Sequence, residues 1–235
     1  MNELLILTIS AASLGFIHTI LGPDHYLPFI VLSKARKWSQ RKTLWITFIS
    51  GIGHVGSSII IGFIGIAMGI SLHKLNAIES YRGEIVAYML IVFGILYSIY
   101  GIYKIVKKGV HVHIPAFLKP RSIRKHHTGD LNNIMDNGNN EINITPWILF
   151  LIFVFGPCEV LIPMLIFPAF ENSIAGVVLV ALVFAITTIL TMLIIVYHGY
   201  RGVGRLKLRG KENYMHLFAG LVILITGVGI QFMGW

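Results

Sequence analysis

Six long apolar stretches separated by basic connections constrain this chain more than any other feature. They run roughly over residues 4–32, 44–72, 85–106, 145–170, 173–200 and 216–235. Each is long enough to cross about 30 Å of hydrocarbon as a helix. Only 12% of the residues are charged, against about 25% in an ordinary soluble domain. The expected fold is therefore all-α, a polytopic membrane protein with six transmembrane helices in the lipid bilayer. The first stretch lacks a basic start and a clear cleavage site, so it reads as a spanning helix and not as a signal peptide.

The formal charge of +9 raises the question of nucleic acid. The basic residues lie in the connections, where the positive-inside rule puts them, so no nucleic-acid partner is expected. The first connection carries Lys34, Arg36, Lys37, Arg41 and Lys42, and the fifth Arg201, Arg205, Lys207, Arg209 and Lys211. The third holds seven lysines and arginines between Lys104 and Lys125. The second has only Lys74 and Arg82, offset by Glu79 and Glu84, and the fourth only Glu171. This alternation places connections one, three and five in the cytoplasm of a cell-membrane protein, with both termini external.

The third connection is polar and rich in Asn, Asp and Gly near its end, and it reads as flexible. It divides the chain into a first three-helix unit (1–106), a cytoplasmic loop (107–143) and a second three-helix unit (144–235). The two units open on related motifs. Gly22-Pro23-Asp24-His25-Tyr26-Leu27-Pro28 lies in the first stretch, and Gly156-Pro157-Cys158-Glu159 with Pro163 in the fourth. An odd number of helices per unit inserts the second unit upside down. The expectation is two inverted repeats with broken first and fourth helices, the pattern of secondary transporters. Either break alone would pass for a simple proline kink.

Asp24 and Glu159 read as the only acids well inside the spans. A carboxylate there should face a cavity, a cation or a base. His18 and His25 are separated by about two helical turns and so share a face. His54 lies roughly 15 Å into the second span by helical rise. Imidazole and carboxylate together suit nickel, cobalt or zinc better than sodium or potassium. The candidate metal ligands are His18, Asp24, His25, His54 and Glu159. Thr187, Thr188 and Thr191 form a polar patch in the fifth span, with bonding to their own helix as the alternative reading. Cys158 is either a soft ligand or a small buried hydrophobe. As the sole cysteine it cannot form an internal disulfide, which excludes an electron relay through a cysteine pair in one chain. His111, His113, His126 and His127 in the third connection are a weak metal signal.

These motifs resemble those of the nickel/cobalt transporter (NiCoT) family and its shorter relatives of the urease-accessory-protein type. The resemblance rests on His18 with Gly22-Pro23-Asp24-His25, on residues 48–57 around His54, and on Gly156-Pro157-Cys158-Glu159 with Pro163. The wider superfamily includes sulfite-exporter-like and disulfide-transferring members. The resemblance implies a permease whose metal is bound by His18, Asp24, His25 and His54.

The leading expectation is accordingly a permease for a divalent transition-metal ion, nickel or cobalt, that is not an enzyme and has no prosthetic group. One alternative is an exporter of sulfite-like anions or small organic acids. No lysine or arginine is found at depth to support it. Another is a membrane accessory protein for metalloenzyme maturation. A second copy of the chain or a cytoplasmic metallochaperone would be a fitting partner. A membrane metalloenzyme is the weakest reading, because no His-Glu-x-x-His motif occurs.

Overall fold

The computed structural model describes residues 2–109, 144–158, 160–170, 173–205 and 214–233. The regular structure among them is entirely helical. In chain order the elements are α1 (Asn2–Leu21), a 3-10 turn (Pro23–His25), α2 (Leu27–Ala35), α3 (Gln40–Ala67) and α4 (Leu72–Gly109). The remainder are α5 (Ile144–Phe155), α6 (Leu161–Phe170), α7 (Ile174–Gly204) and α8 (Tyr214–Met233). Five of these, namely α1, α3, α4, α7 and α8, are long and apolar enough to cross a membrane. Residues 110–143 lie outside the described set, and with them the loop histidines; so does Glu159.

Both Gly-Pro motifs end a helix. Proline has no N–H to continue the ladder and its ring clashes with the preceding turn. After α1 the chain passes through Gly22, whose N–H still reaches the His18 carbonyl at 3.0 Å, into the turn that carries Asp24 and His25. In the second half α5 stops at Phe155, and α6 restarts at Leu161, whose N–H finds the Cys158 carbonyl at 3.0 Å. Helices α3 and α7 start on conventional caps. Ser39 accepts from the Lys42 N–H at 3.3 Å and Ser173 from that of Gly176 at 3.1 Å.

The expected third span needs correction. Helix α4 begins at Leu72, not at residue 85, so Lys74, Glu79, Arg82 and Glu84 lie within a 38-residue helix and not in a connection. Counting charges along the sequence reads Glu79 and Arg82 as solvated loop residues. In the fold they neutralise one another one turn apart, and Glu79 is fully buried.

The most extensive helix pair is α4 against α8. Glycines make the approach possible. A Cβ at Gly94 would meet the Leu224 backbone nitrogen at 2.5 Å, and one at Gly101 would collide with the backbone of Leu217. Gly227 on α8 faces Ile91 and Leu90, where a Cβ would meet atoms at 2.9 Å. Small residues that let helix backbones touch replace the missing hydrophobic drive between helices in lipid. Around this framework lie two buried apolar clusters. One contains Phe29, Leu90, Phe153, Met192 and Ile223, the other Ala11, Val55, Cys158, Leu165 and Phe184.

Candidate metal centre

Three imidazoles meet where the broken first helix packs beside α3. His18 comes from the last turn of α1, His25 from the 3-10 turn and His54 from the middle of α3. Each offers one ring nitrogen, and the three lie within 4.8 Å of one another. The rings of His18 and His54 are nearly parallel, 8° apart, with centroids separated by 6.3 Å. His25 stands almost perpendicular to both, at 83° and 90°. Its Nε2 is 3.2 Å from Nε2 of His54. Phe184 from one apolar cluster lies beside His18, and Phe153 from the other lies beside His25 and His54. His25 and His54 are each only 3% exposed, and His18 is half-buried.

The far side of His25 fixes which nitrogen faces the cluster. Nδ1 lies 3.1 Å from Asp24 Oδ1 and 3.2 Å from the Gly22 carbonyl. Both are acceptors, so the ring donates from Nδ1, and Nε2 is the nitrogen that faces His54. Asp24 therefore sits behind His25, outside the three-nitrogen group. The two glycines of the Gly-Pro motifs make room for the rings. A Cβ on Gly22 would meet His25 Nδ1 at 2.5 Å, and one on Gly156 would meet His54 Nδ1 at 2.9 Å.

The second break comes up to the same place. Cys158 is fully buried, and its Sγ lies 3.9 Å from His18 Nε2. A buried ion pair from α4 holds the backbone here. The Cys158 N–H donates to Glu79 Oε2 at 2.9 Å. Arg82 Nη2 donates to the carbonyls of Val154 at 3.1 Å and Gly156 at 3.0 Å. Arg82 Nη1 also bonds Glu79 Oε1, and Ser57 and Ser58 of α3 complete the network. The proline break frees exactly those backbone groups that a spanning helix would bond internally, and in lipid they need partners from the protein.

Of the residues expected at the site, His18, His25 and His54 come together, and Asp24 touches the outer edge of His25. Thr188 is fully buried against Gly15, its hydroxyl without a partner among the described residues. Thr191 bonds back to the Thr187 carbonyl at 2.7 Å. Two expectations are corrected: Glu79 is a further buried acid, and Arg82 is a basic residue at depth. Their signal in the sequence was the i, i+3 pairing of opposite charges, together with the need of the broken helix for donors.

The sequence model of the family described as cytochrome c biogenesis protein transmembrane region matches residues 27–229. No curated protein and no solved structure matches the chain. A match over this span outweighs three short motifs. It overturns the resemblance to nickel/cobalt transporters, and with it the expectation of a nickel or cobalt permease.

Proposed function

The chain belongs to the cytochrome c biogenesis transmembrane-region family, and from there we propose that it is a membrane accessory protein for metalloprotein maturation, holding a transition-metal ion on His18, His25 and His54. Its apolar helices and its family make it an integral membrane protein.

The observation that carries the reading is the convergence of three imidazole nitrogens within 4.8 Å, two of the rings buried and the third half-buried beside Phe184. Neutral imidazole suits zinc, copper, iron and nickel. The two Nε2 atoms of His25 and His54 lie 3.2 Å apart, close enough for one cation to bind both. The link from Asp24 to His25 supports the same reading. Ligand histidines commonly give their second nitrogen to a carboxylate, which fixes the ring and raises its basicity. The family description supports a role in building another protein. A thiol relay within one chain would need a second cysteine, and Cys158 is the only one.

The finer architecture belongs to the same proposal. We read α1 with α2, α3 and α4 as one unit, and α5 with α6, α7 and α8 as its inverted counterpart. The support is a Gly-Pro break in the first helix of each. The basic connections support cytoplasmic loops and external termini.

Reconstitution in liposomes tests the accessory role. The reading expects the purified chain to retain its ion and to release it only to an added acceptor protein. Sustained metal flux across the vesicle without any partner would sink it.

A further inference from the structure

We infer that Cys158 is the fourth ligand of this centre, so that the ion is one that favours thiolate in a closed tetrahedral site: copper(I) or zinc(II). The inference rests on the three-histidine reading and narrows it to a class of ion.

The geometry starts from the ligand edges. Nitrogens bound tetrahedrally at roughly 2.0–2.1 Å lie about 3.3 Å apart, and a nitrogen and a sulfur bound at about 2.3 Å lie about 3.5 Å apart. His25 Nε2 and His54 Nε2 are 3.2 Å apart, and Cys158 Sγ is 3.9 Å from His18 Nε2. The first edge already matches. The second is longer than that by a few tenths of an ångström, and the sulfur stands just outside the group of three nitrogens, so closing the site around an ion requires Cys158 to move toward His25 and His54. The donors come from opposite sides, two histidines from the first break, one from α3 and the sulfur from the second break. An ion among them would tie the two broken segments together.

Cys158 is also held in place. Its N–H is bonded to the Glu79 carboxylate, and the carbonyls of Val154 and Gly156 are bonded to Arg82. This pins the break on the side that presents the sulfur to His18. The charge balance is favourable too. Three neutral imidazoles and one thiolate leave copper(I) with no net charge and zinc(II) with a single positive charge. Asp24, through His25, then stands close enough to offset the latter. The thiol proton leaves as the sulfur–metal bond forms. Thiolate ligands select copper(I) and zinc over harder ions.

Cobalt(II) is the probe. The purified full chain is titrated with cobalt(II) and its absorption spectrum recorded. The inference expects tetrahedral ligand-field bands in the visible and a thiolate-to-cobalt charge-transfer band in the near ultraviolet. Cys158→Ser should lose the charge-transfer band and keep ligand-field bands. Its copper(I) affinity should fall by at least about 100-fold, since even an outer-shell partner is worth 10- to 100-fold. The wild-type spectrum decides the matter without any variant. Ligand-field bands with no charge-transfer band would overturn Cys158 as a ligand and leave the histidine reading standing. No cobalt bands at all would overturn both.

Discussion

His25 and His54, 29 residues apart in sequence, face each other through Nε2 atoms 3.2 Å apart. The opposite nitrogen of His25 is tied to Asp24 at 3.1 Å. This one relationship joins the broken first helix to α3 and gives the carboxylate a place behind the His25 ring. It also separates two roles that the sequence alone merges, since a His next to an Asp reads as two ligands until the ring is oriented.

Asp24→Asn tests that separation. The amide keeps an oxygen for the His25 ring but loses the charge that orients it and makes it more basic. Metal affinity should fall about 10- to 100-fold with stoichiometry unchanged, as measured by competition with a chromophoric chelator. An unchanged affinity would show that the carboxylate contributes nothing to the centre.

Arg82→Met leaves Glu79 buried without its cation and two carbonyls of the break without donors. Breaking a buried pair from one side costs about 3–5 kcal/mol, read as a drop in the denaturation midpoint in detergent. Glu79→Gln combined with Arg82→Met should cost less than the two single changes summed, by about 0.5–3 kcal/mol for groups in direct contact. Strict additivity would mean that the two residues do not act as a unit.

Gly101→Val drives a side chain into the backbone of Leu217 and should force α4 and α8 apart. Overpacking of this kind costs about 1–3 kcal/mol. Gly202→Ala on α7 is the control, because a Cβ there meets nothing within 4 Å among the described residues. It should be neutral, or stabilising by up to about 1 kcal/mol from helix propensity. Thermal unfolding of the two variants side by side checks the contrast, and equal melting temperatures would remove the close-packing argument.

The histidines of the site were legible because a polar ring inside an apolar stretch has few innocent explanations. The breaks were legible because Gly-Pro cannot continue a helix. Glu79 and Arg82 were not, since a hydropathy reading assigns paired charges to a loop, and only the folded chain shows that Arg82 serves the carbonyls of Val154 and Gly156 and Glu79 the N–H of Cys158. The family was misread for a different reason. The motifs behind that resemblance are short segments around His18, His54 and Gly156. The match that decides membership extends over residues 27–229.

Equilibrium metal binding tests the central claim most directly. The purified chain is dialysed against buffered zinc(II) and the bound metal counted, for the wild type and for His25→Ala and His54→Ala. The account predicts one ion per wild-type chain and an affinity at least about 100-fold weaker in each variant, because a lost ligand should cost more than a lost outer-shell partner. A wild-type chain that binds no metal, or variants that bind it as tightly as the wild type, would contradict it.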